Sequence, residues 1–159
     1  MADDLIERSA VTDGELVFIR EFGVPKSLVY QALTEHDHIK KWKGPKNFHV
    51  TFSESELKVG GKYSYGMQPP EGSEFVLTGE YKEIDQPDKL VYTQSRLGAA
   101  PDGGPGPETE ISITLKEHEG KTTMEFHHAG FPTTEFRDRA IHGWNQTFEK
   151  LENHLNSLL

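Results

Sequence analysis

The chain contains no cysteine, which excludes disulfides, thiol nucleophiles and thiolate metal sites. It also lacks any apolar run long enough to cross a bilayer as a helix. Its first residues, Met-Ala-Asp-Asp-Leu-Ile-Glu, are acidic where a signal peptide is basic and then apolar. A cytoplasmic protein without membrane insertion is the expectation. Basic residues are scarce beside acidic ones, 17 against 26, and the net charge is −9. A surface of that sign repels phosphate backbones and anionic lipid, which argues against a nucleic-acid partner. No Gly-x-Ser-x-Gly elbow is present, so serine hydrolase chemistry has no motif. The Gly103-Gly104-Pro105-Gly106 stretch is no phosphate cradle, because proline removes amide donors. No catalytic set and no cofactor are expected.

Hydrophobic residues make up only 34% of the 159 positions, but nine Phe, five Tyr and two Trp offset this. Each aromatic ring buries a large area, enough here for one core or for a cavity inside it. Residues 1–12 are polar and expected to fray, leaving a single domain over 13–159. Leu16-Val17-Phe18-Ile19-Arg20-Glu21-Phe22 reads as a strand. Pro25 offers a first helical position for a short helix over Lys26–Leu33. A second short helix, capped by Thr34 or Asp37, runs through Trp42 and stops at Gly44-Pro45.

From there the period is two. Phe48, Val50 and Phe52 alternate, and further strands follow around Tyr63–Met67, Glu74–Ile84, Leu90–Thr93, Ile111–Leu115 and Thr122–His128. Short turns without helices between them imply an antiparallel meander. Gly98–Pro107 reads as a loop at the mouth of any cavity. The period then lengthens: Ile141, Trp144, Phe148, Leu151, Leu155 and Leu158 form one stripe on a helix from about Thr134 to Leu158. The fold class is α+β, with about six to seven antiparallel strands curved around a long C-terminal helix.

This order, together with local motifs, resembles a known family. Val24-Pro25 with Val29 and Ala32, then Trp42-Lys43-Gly44-Pro45, resemble its front, and Leu57-Lys58-Val59-Gly60-Gly61-Lys62-Tyr63 resembles its doubled-glycine turn. Gly79-Glu80-Tyr81-Lys82-Glu83-Ile84 with Pro87, Lys89 and Leu90 matches its central hairpin. Gly120-Lys121-Thr122 and Gly143-Trp144 match its last turn and helix. From about residue 15 onward the chain thus resembles the family homologous to the C-terminal domain of the heat-shock protein 90 ATPase activator, in the START-like helix-grip superfamily. Many relatives carry a second tryptophan where this chain has Lys43.

The resemblance implies a cavity between helix and sheet that takes a hydrophobic small molecule. Its wall is expected from Tyr63, Tyr65 and Met67 on one strand and from Phe75 and Leu77 on the next. Met124, Phe126 and His128 on the last strand complete the sheet side, and Ile141, Trp144 and Phe148 supply the helix side. Core packing is the competing role for each. One of His127 and His128 must face inward. Neither that pair nor His36-x-His38 has the second half of a zinc pattern, so no metal is expected. Arg20 and Arg137 are candidates for a buried counter-charge or for a surface ion pair. Two other functions compete with ligand binding. One is a chaperone-interaction module using Lys40, Lys41, Lys43 and Lys46 around Trp42. The other is a cyclase- or hydrolase-type enzyme, which needs an inward acid/base pair.

Overall fold

The β-branched and aromatic run at Glu15–Phe22 alternates between buried and half-exposed side chains, as a strand with one core face must. In the computed structural model, which describes residues 10–12, 14–98 and 106–159, it is the second strand, β2. The first, β1, is Ala10–Thr12, paired antiparallel with β2. Backbone pairing thus holds Ala10–Thr12, the last residues of the segment whose composition suggested fraying.

Two short helices follow, α1 (Lys26–Thr34) and α2 (His36–Trp42). Pro25 is the N-cap residue of α1 rather than its first helical position. Glu35, not Thr34 or Asp37, is the N-cap of α2, and no side chain caps it. The Thr34 hydroxyl instead donates to the Tyr30 carbonyl at 2.8 Å, the back-bonding that Thr favours inside a helix.

The remaining strands are β3 (His49–Ser55), β4 (Lys62–Gln68), β5 (Phe75–Asp85), β6 (Lys89–Leu97), β7 (Thr109–His118) and β8 (Lys121–Ala129). They form one antiparallel sheet in the order β1-β2-β8-β7-β6-β5-β4-β3. Seven strands have at least seven residues, and β1 adds a three-residue edge. The first long strand pairs with the last, so α1 and α2 carry the chain across to the far edge. Register shifts between Val50 and Phe52 and between Tyr81 and Glu83 bend the sheet. The first shift also breaks the alternation expected at Phe48, Val50 and Phe52, and Phe52 ends up exposed.

The long helix α3 spans Thr134–Asn156, about 35 Å. The Thr133 hydroxyl caps it by accepting from the Phe136 amide at 3.2 Å. Leu158 lies beyond the helix end and is exposed. Phe148, Leu151 and Leu155 are fully buried against the sheet, whereas Ile141 and Trp144 are only half-buried. The helix thus packs dry along its C-terminal half and stands off along its N-terminal half. No described helix is long and apolar enough to cross a membrane.

Arg20 fastens the dry half. Its guanidinium, 4% exposed, donates to Glu152 Oε1 at 2.8 Å and lies 5.9 Å from the Phe148 ring centre. Arg20 is therefore a structural ion pair and not a ligand counter-charge. Glu152 is 31% exposed and can rehydrate if left alone, but Arg20 cannot. Glu152→Ala should accordingly cost about 2–3 kcal/mol in urea unfolding and Arg20→Met clearly less; equal costs would contradict this asymmetry.

Candidate functional site

Where α3 stands off, a cavity of about 390 Å³ lies between it, the α2–β3 connection and the concave sheet. Its helix wall is Phe136, Arg139, Ala140, Gly143, Trp144 and Thr147. Of the residues expected in the wall, Met67, Phe75, Leu77, His128 and Trp144 line this space. Tyr63, Tyr65, Met124, Phe126, Ile141 and Phe148 do not.

Each of these six has a physical reason for its place. Tyr63 and Tyr65 share the inward face of β4 with Met67 but sit further along it. With Tyr81 and Tyr92 they form a packed cluster, ring centres 5.1–6.2 Å apart. The Tyr63 hydroxyl donates to the Thr93 carbonyl at 2.5 Å. This arrangement needs Gly79, opposite Tyr63 in the register, because a Cβ there would meet the Thr93 oxygen at 1.9 Å. Burial pushes the pKa of Tyr63, Tyr65 and Tyr92 well above the usual phenol range. Met124 and Phe126 are sealed in the core, Phe148 packs edge-on against Phe18 and Phe126, and Ile141 packs against the core's margin.

Trp144 joins core to cavity. Its ring stacks on Phe148 with centres 5.3 Å apart and lies 4.5 Å from Phe126. Its indole N–H donates to His128 Nδ1 at 3.0 Å. That bond assigns the proton of the neutral imidazole to Nε2, which is 2.8 Å from Thr109 Oγ1; the Thr109 hydroxyl in turn donates to the Gln94 carbonyl. His128 is thus the inward member of its pair, and His127 is half-exposed beside Glu125. Burial, and then the charge on Lys43, pull the His128 pKa down to about 3.

Lys43 is the residue that sequence reasoning misplaced. Set among surface lysines, it is in fact 6% exposed and lines the cavity. Its ammonium lies 5.2 Å from the ring centre of Tyr65, 5.5 Å from that of Trp42 and 5.9 Å from that of Trp144. Burial lowers its pKa to about 8. The Lys150 ammonium, from α3, holds the segment that carries it. That ammonium donates to the carbonyls of Lys43, Pro45 and Phe48 at 3.2–3.4 Å. Gly44, at φ 90°, then turns the chain where a Cβ would strike Met67 Cε at 2.5 Å. The signal available in the sequence was position, a lysine directly after Trp42 and before the Gly44-Pro45 turn.

The expected gating loop falls mostly at 99–105, outside the described residues; Gly106 and Pro107, at its end, line the cavity. Among the described residues no group of His, Asp and Glu is placed to hold a metal.

A curved antiparallel sheet closed by one long helix over a cavity defines a helix-grip, START-like domain. The chain belongs to the family described as Activator of Hsp90 ATPase homolog 1-like protein, whose model matches residues 23–156. Solved structures agree. A Nitrosomonas europaea protein is 28% identical with TM-score 0.78, over 91% of this chain and 95% of that one. An Arthrobacter aurescens protein is 21% identical with TM-score 0.83, over 96% and 92%. A Silicibacter pomeroyi protein, itself named for this family, is 21% identical with TM-score 0.79, over 91% and 99%. No curated protein matches.

Two measurements probe this geometry. Phe148→Ala should cost about 3–5 kcal/mol and Trp144→Ala markedly less, since part of the indole faces open space. The unfolded chain protonates His128 below its ordinary 6.5 while the folded chain resists to about 3. Stability should therefore fall with pH across that window, His128 contributing about 1.4 kcal/mol per unit. In His128→Gln, denaturation curves taken from pH 6.5 to 4 should lose that part of the slope.

Proposed function

We propose that the cavity beneath the N-terminal half of α3 binds a hydrophobic small molecule. The observation that carries this reading is the partial seating of the helix, which opens about 390 Å³ beside Met67, Phe75, Leu77 and Trp144. That size suits a compact ligand in a mostly apolar site. At about −0.3 kcal/mol per ligand atom, a ligand of roughly 20 atoms reaches about −6 kcal/mol, or tens of micromolar.

The family's description suggests a second reading, docking on a chaperone. The expected lysine surface supports it less than the sequence did. Lys43 is buried, which leaves Lys40, Lys41 and Lys46 exposed, with Lys40 3.5 Å from Asp37. Enzymatic chemistry of the cyclase or hydrolase kind also has less support. The one imidazole in the wall is held on both nitrogens and stays neutral.

Filling the space is the direct test. Ala140 lines the cavity from α3 and is half-buried, so Ala140→Phe should occupy it at a stability change within about 1–2 kcal/mol. The neutral fluorophore N-phenyl-1-naphthylamine should brighten with the wild-type protein, and the variant should bind it at least tenfold more weakly. Equal binding by both would refute the site.

A further inference from the structure

We infer that the ligand of this cavity is an amphipathic anion, an apolar body with one negatively charged headgroup set against the Lys43 ammonium. The inference rests on the cavity being a ligand site and names the class of ligand it selects.

Lys43 is the first observation. A buried ammonium ordinarily finds a carboxylate or a set of carbonyls, because leaving water without a partner is costly. Arg20 has Glu152 and Lys150 has three carbonyls, so this chain supplies such partners elsewhere. Lys43 has neither. Among the described residues its Nζ makes no hydrogen bond or ion pair, only approaches to the three ring faces. Ring quadrupoles hold a cation in place but offset only part of its lost hydration. The ammonium keeps its three donors for whatever enters the cavity it lines.

A second observation comes from the opposite wall. Gln94 and Arg96 occupy alternate positions of β6 and both line the cavity. Gln94 Oε1 and Arg96 Nε are buried without hydrogen-bond partners, and the Arg96 guanidinium lies over the Phe75 ring at 5.7 Å. Among the described residues, the charged members of the lining are Lys43, Arg96 and Arg139 against one carboxylate, the exposed Glu71. Arg139 lies 3.7 Å from Glu135 outside the cavity. On a chain of net charge −9, a wall with that balance is opposite in sign to the chain as a whole. The apolar share of the ligand follows from Met67, Phe75, Leu77 and Phe131 in the same lining.

The test is one apolar body with three headgroups: decanoate, 1-decanol and decylamine, each titrated below its self-association concentration by displacement of N-phenyl-1-naphthylamine. Wild-type protein should bind decanoate at least tenfold more tightly than decanol, and decylamine most weakly. Lys43→Met keeps the length of the side chain and removes the charge. In that variant decanoate should lose at least tenfold while decanol is unchanged or gains. Equal affinity for decanoate and decanol in the wild type would overturn the anionic headgroup yet leave the hydrophobic site standing. So would a preference for decylamine. Failure of all three to compete would overturn the site itself. The wild-type comparison decides the question even if the variant folds poorly.

Discussion

A straight helix laid in a curved sheet can keep dry contact along only part of its length, and the rest of this molecule follows from that mismatch. Over the C-terminal half of α3 the fit is close, with Phe148, Leu151 and Leu155 excluded from water and Arg20 pinned to Glu152. Register shifts at Val50–Phe52 and Tyr81–Glu83 bend the sheet, the first of them opposite Gly66 and Met67. Toward its N-terminus the helix diverges from the sheet, and the gap between them is the cavity. Trp144 stands where one regime passes into the other, stacked on the core ring of Phe148 and bonded to His128 in the wall.

Three cations drawn wholly or partly out of solvent show how differently this interior treats charge. Arg20 meets a carboxylate, Lys150 meets the carbonyls of an irregular segment, and Lys43 meets only aromatic faces. The first two hold elements together, α3 to the sheet and α3 to the connection after α2. Lys43 is the first residue of that connection, so the clamp made by Lys150 also positions the ammonium in the cavity. Core and site are mechanically one unit, with the site's charge held from the helix that roofs it.

Much of the fold was legible. Alternation along β2, β7 and β8 and the three-four spacing of α3 come from side chains that must reach a common apolar surface, and such patterns survive in a linear string. The Gly79 position and the tyrosine cluster were not legible in the same way. Tyr63, Tyr65 and Met67 have the same periodicity, yet two pack into a ring cluster and one borders open space. Periodicity reports the face of a strand, not the depth along it. The lysines near Trp42 were misread for a related reason: Lys40, Lys41, Lys43 and Lys46 are alike in type, and only the chain's turn after α2 separates the buried one from its neighbours.

The sequence by itself thus determined the class of the fold, the order of its elements, the inward faces of its strands and the stripe of its long helix. Those are consequences of local pattern and of the need to bury it. Tertiary structure alone decided where the helix leaves the sheet, which aromatic rings close the core and which border the cavity. It also decided that one lysine of four is drawn inside. These depend on distances between segments up to about a hundred residues apart, such as Lys150 and the carbonyls near Lys43. No pattern along the chain encodes such a distance.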